Sequence, residues 1–368
     1  MIKDLTIHNY KNLQNLTLSG LQRFNLFLGN NNSGKSSLLE ALLLFSSACD
    51  REVLRFVLVE RGFLLPSVTS QEDNNKEIVS VFASLINGRS VSKFYKDEIA
   101  IASDSDSIRL KFVDVFEQYK KNELSSEDVR VRSWKVYGPE DDDNEMGERP
   151  ALQVLVNGEH RDLFVFDNAV YRTNNPRHIY ASDLVLTSQL SNSLDADHFD
   201  KISMTNYERE LIRALQIVEP RIVAINFLKN TFARKNYGQD RIPFVLLDNG
   251  QRYQLSSMGD GINRILTIIL SLLNCENGIF LVDEFENGLH YSVQTKLWEV
   301  IKAISCSLNI QVFATTHSND CIRSFIDSGA SSDGSVFRLE VDQDKITPVQ
   351  FSNQDRLKFA ISQNIEIR

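Results

Sequence analysis

None of the four cysteines, Cys49, Cys275, Cys306 and Cys321, stands in a C-x-x-C pair, and the six histidines form no cluster beside them. That spacing speaks against a zinc ribbon, a redox dithiol or a disulfide scaffold, and for free thiols in a reducing cytosol. Long apolar runs are missing as well. The longest, Ile265–Leu273, is interrupted by Thr267 and Ser271 and is too short to span a bilayer. The opening Met-Ile-Lys-Asp lacks the apolar stretch of a signal peptide. A cytoplasmic protein with no membrane partner is expected. Positive charge is scarce too. Lys and Arg number 40 against 49 Asp and Glu, a net charge of −9. Attraction to nucleic acid over the whole surface is therefore not expected, and only a local basic patch could bind it. No internal repeat or low-complexity tract occurs.

What is present divides the 368 residues into three regions. Residues 1–48 read as strand, turn, strand, a glycine-containing loop and a helix. "LTIHNY" and "LTLSGL" alternate apolar and polar at period two, "RFNLFLG" is a third strand, and "SSLLEALLLF" is apolar at helical spacing. Residues 49–240 read as an inserted mixture of helices and short strands. "DREVLRFVLVERGFLL" and "EIVSVFASLI" suggest helices there; "SIRLKFVDVF", "RSWKVYG", "ALQVLVNG" and "RDLFVFDN" suggest strands. The acidic stretch 140–145 reads as a solvated loop. "NYERELIRAL" begins a helix that ends before Pro220 and leads into a strand. Residues 241–368 return to a regular succession of strands and helices, with a last helix at "QDRLKFAISQ".

"GNNNSGKSS" fits the phosphate-loop pattern G-x-x-x-x-G-K-[ST] between an apolar strand and a helix. Gly29 and Gly34 let the backbone curl so that N–H groups face phosphate oxygens, and the helix start adds its positive dipole end. Asn31, Asn32, Ser33, Gly34, Lys35, Ser36 and Ser37 are the nucleotide-binding candidates. Lys35 is expected to reach the β- and γ-phosphates of ATP, and the Ser36 hydroxyl to ligate Mg²⁺.

"GIFLVDEFENGLH" places Asp283 and Glu284 at the tip of a hydrophobic strand. Asp283 is expected to hold Mg²⁺ through water. Strand alternation turns Glu284 the other way, where it could orient and polarise the attacking water. "IQVFATTHS" ends the next strand on Thr316, His317 and Ser318. One helix separates the two strands, so parallel neighbours are expected. That pairing would bring His317 near the γ-phosphate. "QLSSMGDGINRIL" opens a helix whose apolar residues Ile262, Ile265, Leu266, Ile269 and Leu273 recur at helical spacing.

Taken together, these residues resemble the ABC-type ATPase heads of the SMC and RecF group, and within it the OLD-like branch with its AAA-15 and AAA-21 relatives. "GNNNSGKS" is similar to their phosphate loop, and "IHNYKNLQNLTL" to their opening strand pair. "VDEFENGLH" is similar to their extended Walker B and D-loop, with Glu286, Gly288, Leu289 and His290 in the usual spacing. "ATTHS" resembles their switch histidine and "LSSMGDGINRIL" their signature motif. The resemblance implies a P-loop NTPase of ABC type: an α/β fold with a mixed sheet, helices and an inserted α+β region. It also implies two heads closing around two ATP molecules, with a signature Ser and Gly of one subunit touching the γ-phosphate held by the other. Ser257 with Gly259 is the preferred pair, Ser256 the alternative. Family signatures often read Ser-Gly-Gly where this chain has Ser257-Met258-Gly259, and no Q-loop glutamine can be assigned.

The interval from Lys35 to Asp283 holds no sustained heptads, which excludes a long-armed cohesin-like machine. Transporter heads place the signature nearer the phosphate loop. Full-length OLD proteins append a nuclease, whereas only residues 318–368 follow His317; "EVDQD" there reads as a hairpin turn. Short relatives ending like Glu366-Ile367-Arg368 are commonly encoded beside an effector gene. The resemblance therefore implies a homodimeric or larger ATPase that senses for or regulates a partner effector, such as a nuclease, in prokaryotic anti-phage defence. The alternative it leaves is a RecF-like DNA-binding repair ATPase.

Overall fold

The computed structural model describes residues 1–59, 80–89, 97–121, 128–136, 150–165, 178–187, 192–229, 241–343 and 345–351. The acidic stretch 140–145, the last expected helix and the tail Glu366–Arg368 lie outside them.

The strands are β1 (Leu5–Tyr10), β2 (Leu13–Leu18), β3 (Phe24–Leu28), β4 (Glu98–Ser103), β5 (Ser107–Lys121), β6 (Asp128–Val136), β7 (Pro150–Val156), β8 (Glu159–Val165), β9 (Ser182–Val185), β10 (Ile222–Lys229), β11 (Arg241–Leu247), β12 (Arg252–Gln254), β13 (Ile279–Val282), β14 (Gln311–Thr315), β15 (Gly334–Asp342) and β16 (Lys345–Gln350). The helices used below are α1 (Lys35–Ser46), α2 (Arg51–Val59), α3 (Asn192–Ile202), α4 (Asn206–Leu215), α5 (Asp260–Leu273), α6 (Tyr291–Ser307) and α7 (Asn319–Asp327).

One sheet carries the order β16-β15-β3-β14-β13-β9. From β15 to β9 every pairing is parallel, and only the β15–β16 hairpin is antiparallel. Both faces of this sheet are covered, which is why its strands read as continuous apolar runs. Side chains alternate between two cores. Phe24, Leu26, Leu28, Phe280, Val282, Val312 and Ala314 face one core, built with residues of α3 to α7. Phe27, Ile279, Leu281 and Phe313 face the other, built with residues of α1, β1 and β2. On that second face Phe27 stacks between Phe313 and Phe337, at centroid distances of 6.3 and 5.4 Å, which ties β14, β3 and β15 together across the strands.

A second sheet runs β2-β1-β4-β5-β7-β8, with β6 also pairing β5. A third, antiparallel β10-β11-β12, hands the chain to a 3-10 turn at Leu255–Met258 and then to α5. The hairpin expected over residues 243–255 is therefore present, and "EVDQD" falls on the β15–β16 hairpin, whose closing pair is Asp342↔Lys345.

Three elements had weak sequence signals. β9 has only four residues. It nevertheless forms the edge of the central sheet, held in register by Ile279↔Ser182 through Val282↔Val185. β4 alternates only in part. In α3 a thin stripe of Ala196, Phe199 and Ile202 reaches the core. β2 also lies three residues earlier than the alternation of "LTLSGL" suggests, ending at Leu18, because Gly20 turns the chain at φ 73°. None of the four cysteines forms a disulfide, and of them Cys306 alone is exposed. Among the described residues no helix is long and apolar enough to cross a membrane.

Candidate functional site

Sheet topology assembles the site. β3 is central, and the loop 29–34 leaves its end and enters α1, all of whose residues except Ser36 are buried. Gly34 sits at φ 90° as the residue capping α1. A Cβ there would meet Ile346 Cδ1 at 2.8 Å and Leu13 Cδ2 at 2.9 Å, so conformation and space both require glycine. Asn32 also has positive φ, at 65°. Asn31 and Asn32 are exposed, whereas Ser33, Lys35 and Ser37 are buried. The Lys35 ammonium donates to the carbonyls of Gly29 at 2.7 Å and Asn30 at 2.9 Å, closing the loop on itself. Burial lowers its pKa from the ordinary lysine range, and the charges of Asp283, Glu284 and Glu286 act in the opposite direction.

The acids stand one strand beyond β14. The Ser36 hydroxyl donates to Asp283 Oδ2 at 2.8 Å, and the Thr315 hydroxyl donates to Asp283 Oδ1 at 2.6 Å. Thr315 also accepts the Glu284 N–H at 2.8 Å. β13 ends at Val282, and Glu284 adopts a left-handed backbone at φ 46°. Its direction is thus set by a tight turn clamped by Thr315 rather than by strand alternation. A non-glycine residue in that conformation carries roughly 1–3 kcal/mol of strain, the kind concentrated at functional sites.

β13 and β14 are parallel neighbours, as expected, and His317 follows β14 beside the two glutamates. Its Nδ1 lies 3.7 Å from Glu284 Oε1 and 3.6 Å from Glu286 Oε1. The His317 backbone N–H donates to Glu286 Oε1 at 3.0 Å, so Glu286 holds the turn that presents the histidine. Phe285, between the two glutamates, stacks on Trp298 of α6 at 4.2 Å and anchors this turn to the core.

Two residues here carried no separate signal in the sequence, Thr315 and Arg264. Arg264 projects from α5 and is buried. Its guanidinium donates to Leu186 O at 2.6 Å, Asp283 O at 2.8 Å and Glu284 O at 3.4 Å. Burial lowers its pKa, and Asp283, Glu284 and Glu286 oppose that shift. One side chain thus ties α5 to the ends of β9 and β13. An arginine inside an apolar helical pattern reads as a polar interruption, and nothing in its spacing marks its partners.

The signature-like segment lies at the start of the same helix. Ser256, Ser257 and Gly259 are exposed. The Ser257 hydroxyl donates to Gln254 O at 2.7 Å. Gly259 has φ 104°, and among the described residues no neighbouring atom lies within 4 Å of where a Cβ would stand. A Cβ on Gly261 would sit 3.1 Å from Gly288 O, so the turn after Glu284 abuts the start of α5. His290 and Tyr291 extend that surface, their rings 4.3 Å apart and Tyr291 64% exposed.

Among the described residues no group of three or more His, Cys, Asp or Glu could hold a metal alone. The donors present nonetheless fit Mg²⁺, which takes oxygen ligands, keeps several waters and shares substrate phosphates. Ser36 Oγ and Asp283 Oδ2 stand 2.8 Å apart beside the loop. Ser33 Oγ is buried without a hydrogen-bond partner among the described residues, 2.5 Å from where a Cβ on Gly29 would stand. A side chain at Gly29 would therefore crowd this cradle.

Comparison with known proteins bears on the family and the fold. The model of the AAA ATPase domain family matches residues 1–322. The chain is 26% identical over 340 residues to an "ATP/GTP phosphatase" of Helicobacter pylori, covering 88% of this chain and 86% of that protein. It is 26% identical over 359 residues to the "DNA replication and repair protein RecF" of Streptococcus pyogenes, covering 87% and 92%. An SMC head solved in complex with the C-terminal winged-helix domain of ScpA superposes with a TM-score of 0.50 at 12% identity, covering 97% and 99%. That last likeness concerns the fold, the ABC type of P-loop architecture.

Proposed function

The chain belongs to the AAA ATPase domain family and is an SMC/RecF-like ABC ATPase, and from that premise we propose that it hydrolyses ATP as a two-headed switch. The observation that carries this reading is a split in the site. Lys35, Ser36, Asp283 and Glu284 converge within one chain. The Ser257–Gly259 turn is exposed at a helix start, and no other described residue stands over Gly259. Helix starts with free N–H groups are anion sites, and an anion held on a second copy completes this one.

In the proposed cycle Lys35 and the loop 29–34 bind the phosphates, and Ser36 and Asp283 supply oxygens for Mg²⁺. When bound, Mg²⁺ neutralises charge on the β- and γ-phosphates. Glu284 orients the attacking water and accepts its proton. His317, held by Glu286, faces the transferred phosphoryl group. Ser257 and Gly259 of the second copy contact that group, so its loss on hydrolysis removes the contacts between subunits.

Replacing Ser257 with a bulky cation tests the split. Ser257→Arg is expected to abolish ATP-driven dimerisation in sedimentation and to lower turnover by roughly 10²–10³-fold, the usual cost of losing a contact to developing phosphoryl charge. Nucleotide binding by the single subunit should persist. Loss of that binding as well would refute the two-subunit site.

The use we propose for the switch is control of a partner effector, such as a nuclease, in prokaryotic anti-phage defence. It is supported by the resemblance of the motifs to the OLD-like branch. The RecF relatives favour a second use, DNA binding in repair, against which the net charge of −9 weighs. Retention of duplex DNA by the purified chain, falling steeply with salt, would decide for the second.

A further inference from the structure

Where β13 ends, successive N–H groups meet different kinds of acceptor. The Asp283 N–H donates to Val185 O at 2.9 Å and the Phe285 N–H to Thr315 O at 3.0 Å, both backbone carbonyls of the strands on either side. The Glu284 N–H between them donates instead to the Thr315 hydroxyl at 2.8 Å. One backbone group beside the reaction is thus satisfied by a side chain, which a substitution can remove without touching the carbonyls. The directions of the surrounding bonds are fixed. A backbone N–H can only donate and a carboxylate can only accept. The Thr315 oxygen therefore accepts from Glu284, and its single proton goes to Asp283 Oδ1 at 2.6 Å. Asp283 Oδ2 takes the Ser36 proton at 2.8 Å. A relay of hydrogen bonds runs from Ser36 through Asp283 and Thr315 to the Glu284 backbone, joining α1 to the ends of β13 and β14. Thr315 is fully buried, its β-branched side chain is stiff at χ1, and β14 is paired on both sides by β3 and β13. The adjacent Thr316 takes no part in the relay: its hydroxyl accepts the Ser318 N–H at 3.0 Å.

We propose that Thr315 is a positioning residue for ATP hydrolysis: its hydroxyl ties the Asp283 carboxylate, one of the oxygen donors that fit Mg²⁺, to the left-handed turn that aims Glu284. The turn needs such a tie. Glu284 holds φ 46°, a conformation that persists in a non-glycine residue only where its surroundings enforce it. Arg264 holds the carbonyl side of the turn, and Thr315 holds the N–H side. Without the hydroxyl, the Glu284 N–H is left without its acceptor and Asp283 Oδ1 without its donor. The carboxyl of Glu284 is then free to leave the position from which it meets the attacking water, and small misplacements of a reacting group are costly. The consequence for catalysis rests on Glu284 as the base in the reading above; the relay itself does not.

The test compares Thr315→Val, which keeps the shape and removes the hydroxyl, with Thr315→Ser, which restores it, in the full chain. In Thr315→Val, kcat is expected to fall about 10–100-fold, the usual cost of losing a group that orients a metal-site ligand. Binding of a fluorescent ATP analogue in excess EDTA should be unchanged. Thr315→Ser should recover most of the turnover. Residue-resolved amide exchange of the metal-free chain reads the clamp without catalysis. The Glu284 amide should exchange about tenfold faster in Thr315→Val and near the wild-type rate in Thr315→Ser. The Phe285 amide, bonded to a backbone carbonyl, should not change in either. Action through Glu284 also predicts non-additivity: in a Glu284→Gln background the cost of Thr315→Val should largely vanish. An undiminished cost in that background marks a general structural defect and overturns the proposal. Wild-type turnover in Thr315→Val, or a Thr315→Ser variant as slow as Thr315→Val, overturns it equally. Should Thr315→Val not fold, Thr315→Ala takes its place with the same expectations. Wild-type turnover in Glu284→Gln itself, with the Glu284 amide still released by Thr315→Val, refutes the base assignment and leaves the relay standing.

Discussion

Glu284→Gln is expected to lower ATP turnover by roughly 10²–10⁴-fold, the range that a positioned general base contributes, while ATP still binds. Glutamine keeps the size and the backbone demands of the residue, so the left-handed turn at φ 46° and its Thr315 hydrogen bond survive. What disappears is the capacity to accept a proton. At 1.36 kcal/mol per tenfold, the loss corresponds to about 3–5 kcal/mol of transition-state stabilisation. Phosphate release gives the rate, and equilibrium binding of a fluorescent ATP analogue reports the ground state. The same substitution should accumulate the ATP-bound dimer, because closure no longer ends in hydrolysis. Turnover within a few-fold of the wild type would remove Glu284 as the base and transfer attention to His317, 3.7 Å from it, or to Glu286, 3.6 Å from His317.

Arg264→Ala should destabilise the fold by about 3–5 kcal/mol, the usual cost of removing one member of a buried charged network. Three carbonyls lose their donor, at Leu186, Asp283 and Glu284, and each buried acceptor left unpaired costs about 1–3 kcal/mol where water cannot replace the bond. Nearby carboxylates also lose a compensating cation. Arg264→Lys is the informative companion. It retains charge, but an ammonium cannot reproduce the planar fork that reaches two strand ends together. It should recover part of the stability, read from urea unfolding, and leave turnover depressed. Full recovery of turnover in the lysine variant would mean that charge alone matters and that the clamp between α5 and the two strands does not set the site.

These two residues differ in how legible they were. The phosphate loop is a local pattern: glycine spacing, strand before and helix after all lie within one short stretch. Asp283 and Glu284 were readable for the same reason, since a fully apolar strand ending in two acids has few other uses beside a phosphate loop. The direction of Glu284 was not readable, because it depends on a positive φ that Thr315 enforces from the next strand. Arg264 was hidden because its partners are backbone carbonyls, which have no sequence identity. The same holds for β9. Four residues carry too little periodicity, and the strand exists only because β13 offers an open parallel edge. α3 was obscured by its charges, and only Ala196, Phe199 and Ile202 of that stripe reach the core. Local chemistry was visible; long-range closure was not.

The distribution of thiols supplies a spectroscopic consequence. Cys49, Cys275 and Cys321 are buried, and burial raises the pKa of the Cys275 and Cys321 thiols and suppresses the reactive thiolate. Cys306, on the outer side of α6, is exposed. A maleimide dye therefore has one preferred attachment point on the native chain, without mutation. Each molecule carries its own reporter on a helix whose other face, through Trp298, braces the turn bearing Glu284. Homo-transfer between two such dyes would count subunits in real time as ATP is added and consumed.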